Sequence, residues 1–145
     1  MLALADLAML GKQDKEYLAW LEKAVTTHPK ELQPRVLLSR YYLAKNDTKQ
    51  ALAIAKDAIK SNPEDLQTLR FLGSTQLAGK DSKAAMETYQ QLVQKSPNAA
   101  DAHLRLGLAQ AAASNNDEAR SSFNNALKIK PDFVAAMDAH VQLEM

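Results

Sequence analysis

Four of the five prolines, Pro29, Pro63, Pro97 and Pro131, stand 34 residues apart. Proline interrupts a helix, because its ring clashes with the preceding turn and it has no N–H to donate. A regular series of prolines therefore cuts the chain into equal units, and a period of this size marks a repeat architecture. Other series keep the same register. Leu4, Leu38, Leu72 and Leu106 follow it, as do Ala51, Ala85 and Ala119. So do the triplets Leu37–Ser39, Phe71–Gly73 and Arg105–Gly107.

Each unit holds two helical stretches. Leu66 to Ala78 is apolar at Leu66, Leu69, Leu72 and Leu77, close to a 3.6-residue period. Ser82 to Lys95 places Ala85, Tyr89 and Leu92 on one stripe, and Pro97 ends it. Between them "AGKD" offers Gly79 as a left-handed C-cap, while "AKND" and "ASNND" use asparagine for the same tight turn. A hairpin of two helices cannot bury all its apolar surface alone, and stacking like hairpins solves that problem. Ser39, Gly73 and Gly107 then supply the small residues that let helices approach. The expectation is an all-α, right-handed superhelical solenoid of antiparallel hairpins. Its units are an N-terminal hairpin 1–31, full repeats 32–65, 66–99 and 100–133, and a final or capping helix 134–145.

Charge and composition exclude several classes of function. Eighteen basic and 17 acidic residues leave a net charge of +1, without the basic excess of a nucleic-acid binder. There is no cysteine, hence no disulfide, thiolate nucleophile or cysteine-based metal site. No run of 18 apolar residues exists to insert in a membrane. The opening "MLALADLAML" lacks a basic n-region and reads as one helix handing over to another, with an apolar face that a preceding hairpin could cover.

Residue by residue, the sequence resembles the tetratricopeptide-repeat family. Leu69, Leu72, Gly73, Ala85, Tyr89 and Pro97 match its pattern in one unit. Leu106, Gly107, Ala119, Phe123, Ala126 and Pro131 match it in the next. The unit from Leu32 to Asp65 keeps Leu38, Tyr42, Ala51, Ala58 and Pro63, but carries Arg35 for a large apolar residue, Ser39 for glycine and Ala55 for the aromatic. In the first segment Leu4, Ala5, Leu21, Ala24 and Pro29 fit, while Tyr17 stands where a small residue is normal. The stretches from Leu37 to Asp65 and from Leu104 to Phe133 also resemble long bacterial members of exopolysaccharide and protein-sorting gene clusters. That would make the chain a piece of a longer array and place it in the periplasm or cell envelope, against a cytoplasmic location otherwise.

The resemblance implies no enzyme and no cofactor, but a scaffold binding a protein or peptide on a concave face lined by the first helices. Carried over by position, the groove residues are Gln33, Val36, Arg40 and Leu43, then Gln67, Arg70, Ser74 and Leu77. Asp101, Leu104, Leu108 and Ala111 follow, with Asp138 at the far end. The family's clamp for a C-terminal carboxylate wants lysine and asparagine where this chain has Val36 and Arg40, and Arg105 matches only one of its arginines. A looser anionic contact survives that mismatch. Two other expectations stand beside the groove: a spacer that forms homo-oligomers through its terminal hairpins, and a regulatory segment of a larger enzyme.

The candidates for chemistry read as architecture. His28, His103 and His140 fit no compact ligand spacing, and His103 takes the position of Leu69, which predicts partial burial. Glu64, Asp65, Asp117 and Glu118 fall at helix starts, where unsatisfied N–H groups favour them. Trp20, three residues after Tyr17, is expected to pack against the next hairpin. Tyr42 is expected in the core contact, with Tyr41 filling its other side.

Overall fold

The computed structural model describes residues Leu2–Met145, with side-chain surroundings from Gly11 onward. The apolar face of residues 2–10 and the repeat positions Leu4 and Ala5 lie outside those described surroundings. Among the described residues the fold is all-α, without a strand. The helices are α1 (Leu2–Thr27), α2 (Leu32–Ala44), α3 (Thr48–Ser61), α4 (Leu66–Ala78), α5 (Ser82–Lys95), α6 (Ala100–Ala112), α7 (Asn116–Ile129) and α8 (Val134–Glu144). Two compact units divide them, one ending at Ser61 and one running from Asn62 to Met145.

The turns inside the hairpins are copies of one another. Asn46, Lys80 and Ser114, each 34 residues after the last, adopt left-handed φ values of 60°, 64° and 64°. In each turn the left-handed residue donates to a carbonyl three residues back, and the next residue donates five back. For Lys80 and Asp81 these bonds reach Leu77 and Gln76, at 3.0 and 2.9 Å. This is the Schellman arrangement, which satisfies carbonyls left over at a helix end. The left-handed residue in the middle turn is thus Lys80, not the expected Gly79, whose φ is −79°. In the last turn it is Ser114, while Asn115 has φ −84°. Register decides this. Asp81 must also start α5, where its Oδ1 accepts from Ala84 N at 3.1 Å, so the residue before it makes the reversal.

In the second unit, α4 packs on α5, α5 on α6, α6 on α7 and α7 on α8. The hydrogen bonds across each hairpin step away from the turn in both directions, as antiparallel helices require. Thr88 Oγ1 donates to Gln76 Oε1 at 2.7 Å, and Ser122 Oγ donates to Gln110 Oε1 at 2.6 Å, one repeat on. Further from the turn, Gly73 meets the ring of Tyr89 and Gly107 meets the ring of Phe123. Both rings are buried. Phe123 belongs to a core with Leu104, Ala119, Ala126, Ala136 and Ala139, which carries α8.

The first unit uses the same plan with smaller parts. Ser39 and Ala55 are both buried where the other repeats place glycine and an aromatic ring. Ser39 Oγ donates to Ala51 O at 3.4 Å. A hydroxyl-to-carbonyl contact between α2 and α3 thus joins the hairpin that lacks the ring.

The expected hairpin over residues 1–31 is not present: α1 is a single helix of 26 residues. Gly11 lies where one helix was expected to hand over to another, but no glycine of the described residues has positive φ, and a Cβ on Gly11 would meet open space. One glycine costs a helix about 1 kcal/mol, too little to end it without a turn or a proline. Tyr17 is accordingly exposed, with its ring edge-on to Tyr41 at 6.1 Å. Trp20, expected to pack against the next hairpin, is instead 60% exposed. The helix docks through fully buried Leu21 and through Asp14, whose Oδ2 accepts from the Tyr41 hydroxyl at 2.8 Å. Tyr42 is half-buried and sets its ring edge-on to Tyr41.

Candidate functional site

The first helices α4 and α6 of the second unit present an open cavity of about 340 Å³. Its lining is Ser74, Leu77 and Ala78 from α4, Arg105 and Leu108 from α6, and Tyr89 from α5. Helical spacing explains the set. Ser74 and Leu77 are three apart, as are Arg105 and Leu108, so each pair shares a face. Tyr89 is the packing residue that closes on Gly73, and its ring forms the floor.

Beside the cavity two guanidinium groups share one carboxylate. Asp101 Oδ2 accepts from Arg105 Nε at 2.7 Å, an i,i+4 pair on α6. The same oxygen lies 3.4 Å from Arg70 Nε on α4, an ion pair without hydrogen-bond geometry. Arg70 Nε is buried and has no hydrogen-bond partner. Burial opposes the charge on Arg105, but Asp101 and the Tyr89 hydroxyl together hold its pKa above the ordinary value. Burial pushes the Tyr89 hydroxyl up, with the neighbouring Arg105 pulling the other way. Both groups keep their neutral-pH charge states, and the cluster carries a net charge of +1.

The expected groove residues divide by location. Ser74, Leu77 and Leu108 line the cavity, and Arg70 and Asp101 form the ion cluster next to it. Leu104 was expected to face a ligand, but it lies in the core against α7 and α8. Gln67 and Asp138 are exposed away from these contacts, and Ala111 is half-buried against the core. Gln33, Val36, Arg40 and Leu43 lie on α2 in the first unit, where Gln33 and Arg40 are exposed and Val36 and Leu43 half-buried. Spacing alone did not mark Tyr89 as a cavity residue, since it is a buried packing ring that reaches the cavity from α5. The i,i+4 relation of Asp101 and Arg105 was the available signal for the cluster.

The other candidates do structural work. His103, half-buried as expected, sets Nε2 2.8 Å from the carbonyl of Pro97. Arg35, two repeats earlier, donates to the carbonyl of Pro29 in the same way. The two residues thus satisfy the same orphan carbonyl at the repeat boundary. Asp65 Oδ2 caps α4 by accepting from Thr68 N at 2.8 Å. Among the described residues no group of three His, Asp or Glu could hold a metal ion, and no helix is long and apolar enough to cross a membrane.

Comparison with known proteins agrees with the fold. The family model described as tetratricopeptide repeat matches residues 36–100 and 84–132. No curated protein matches the chain. Among solved structures, the chain is similar to YrrB, described as a tetratricopeptide-repeat protein with an unusual peptide-binding site. The identity is 21%, with a TM-score of 0.72 over 92% of this chain and 69% of that one. It is also similar to TTC0263, a thermophilic protein of Thermus thermophilus, at 23% identity and TM-score 0.71 over 96% of this chain and 76% of that one. MamA of Desulfovibrio magneticus RS-1, residues 41 to its end, is 16% identical, with TM-score 0.69 over 98% and 86%. At these identities the likeness is one of fold.

Proposed function

The chain belongs to the tetratricopeptide-repeat family, whose members generally serve as non-catalytic scaffolds for proteins and peptides, and we propose that it binds a peptide segment of a partner across α4 and α6. The observation that carries this reading is the cavity bounded by Ser74, Leu77, Ala78, Leu108 and Arg105. It joins aliphatic walls to one charged side chain, the mixture that fixes a peptide by apolar burial and orients it by a polar contact. The peptide-binding site named for YrrB is consistent with it. The test is a displayed peptide library selected on the whole chain, then re-screened on Leu108→Glu. Leu108 is exposed, so the substitution fills the cavity with charge and leaves the core intact. Selected peptides should lose at least about tenfold in affinity on the variant, the scale of one buried leucine side chain. Equal binding to both proteins sinks the reading.

A second reading rests on α8. Val134, Met137 and Val141 make one exposed apolar stripe, with Val141 58% exposed at the position where α4 and α6 carry their buried glycines. Self-association through that stripe would make the chain a spacer in an assembly. Sedimentation over a range of concentrations should then show mass action, abolished by Val141→Lys. The setting in polysaccharide export or protein sorting is what the sequence resemblance alone carries, and fractionation of the source cells tests it.

A further inference from the structure

We infer that the α4–α6 site selects peptides carrying an internal acidic side chain, held by Arg70 and Arg105, next to an aliphatic side chain that enters the cavity. This rests on the groove reading above and adds the chemistry of the ligand.

Three observations support it. First, the local charge is unbalanced: two guanidinium groups face one carboxylate, and one oxygen of that carboxylate serves both. A single added carboxylate neutralises the cluster, whereas a phosphate dianion would leave it negative. Second, Arg70 Nε is buried without a hydrogen-bond acceptor. A donor withdrawn from water and left unmatched is costly, and an incoming oxygen that shifts the guanidinium against Asp101 removes that cost. Third, Asp101 meets both arginines at Nε. Asp101 engages Arg105 through its Nε, and no hydrogen bond to Asp101 is made by the terminal nitrogens, the pair that suits an incoming carboxylate. Arg70 stands one helical turn before Ser74 and two before Leu77, on the stripe that enters the cavity. The cationic pair and the aliphatic walls of Leu77, Ala78 and Leu108 therefore adjoin, within reach of neighbouring side chains of one peptide.

The experiment measures fluorescence anisotropy of the whole chain with short labelled peptides, acetylated and amidated at their ends. One carries Leu-Glu at its centre, a second Leu-Gln, and a third the Leu-Gln centre with a free C-terminal carboxylate. The inference expects the Glu peptide to bind at least about tenfold tighter than the Gln peptide, the strength of a charged hydrogen bond. It also expects added salt to weaken the Glu peptide alone, and Arg105→Gln and Arg70→Gln each to erase the preference. Circular dichroism confirms that the variants are folded, and the salt series on the unmodified chain stands if Arg70→Gln is not. Equal binding of Glu and Gln peptides, both lost in Leu108→Glu, overturns the inference and leaves the groove reading intact. Preference for the free C-terminus overturns it in favour of a terminal carboxylate. Binding insensitive to Leu108→Glu defeats both readings, and no binding of the Glu peptide overturns the inference.

Discussion

The ring of Tyr89 occupies the space in which Gly73 would carry a side chain: a Cβ there would stand 2.7 Å from Cζ, and closer still to Cε1. Gly107 and Phe123 repeat the relation, with Cδ1 at 2.6 Å. Real Cβ atoms do not approach so closely, so one partner would have to move. Both rings are buried, so a shift of either disturbs the packing around it. The glycine of this repeat is therefore a steric requirement of the second helix.

Gly73→Ala should destabilise the chain by about 2–3 kcal/mol through overpacking. Gly11→Ala should do the reverse, gaining up to about 1 kcal/mol, because its Cβ meets open space in an exposed helix. Urea unfolding of the two variants measures both signs. Combining Gly73→Ala with Tyr89→Leu should cost less than the sum of the single changes, since the removed ring is what the methyl strikes.

Lys80 holds a left-handed conformation that costs a residue with a side chain roughly 1–2 kcal/mol. Lys80→Gly should therefore stabilise by about 0.5–1 kcal/mol after the added freedom of the unfolded chain is counted. Gly79→Ala, at φ −79°, should be tolerated. Thermal unfolding should place Lys80→Gly a few degrees above the parent, and a lower midpoint would contradict the assignment of the turn.

Arg35 is buried, while its ion-pair partner Asp57, 3.2 Å away, is 64% exposed at the side chain. Such a pair contributes little by charge, so Asp57→Ala should change stability by less than about 1 kcal/mol. Arg35→Ala should cost about 2 kcal/mol, from lost packing and an unmatched Pro29 carbonyl. Arg35→Leu, which installs the residue of the next repeat, should recover most of that loss. Chemical denaturation of the three variants ranks them.

Asp14 holds its carboxyl below the ordinary range, through the hydrogen bond from the Tyr41 hydroxyl and then the contact with Lys45 at 3.1 Å. A depressed carboxylate pKa stabilises the fold fully above the unfolded value, near 3.9, and loses that contribution as pH falls through the lower folded value. Tyr41→Phe should move the Asp14 titration upward in carboxyl NMR. Asp14→Asn should flatten the acid limb of stability below about pH 4.

The repeat register made the core legible. The 34-residue spacing placed Gly73, Tyr89, Gly107 and Phe123 correctly, because every hairpin must bury the same face against its neighbour. The site was legible only in part. Of the positions carried over from the family resemblance, Ser74, Leu77 and Leu108 line the cavity and Arg70 and Asp101 form the ion cluster beside it, but Leu104 turned inward. Which side of α6 faces the core depends on how α7 and α8 close over it, and spacing along α6 alone does not encode that.

The sequence by itself determined the paired helices from Leu32 to Ile129, their stops before Pro63, Pro97 and Pro131, and the small residue in the middle of each first helix. These follow from local rules, since proline stops helices and a repeated pattern demands repeated packing. Tertiary structure decided that α1 runs unbroken through Gly11, that Lys80 rather than Gly79 makes the reversal, and that Trp20 faces solvent. It also brought Arg70 and Arg105, from different helices, onto one oxygen of Asp101. The reason is common to all four. The preference of a single residue along one helix is worth too little energy to fix any of them, whether to break α1 at Gly11 or to choose the partner across a helix interface.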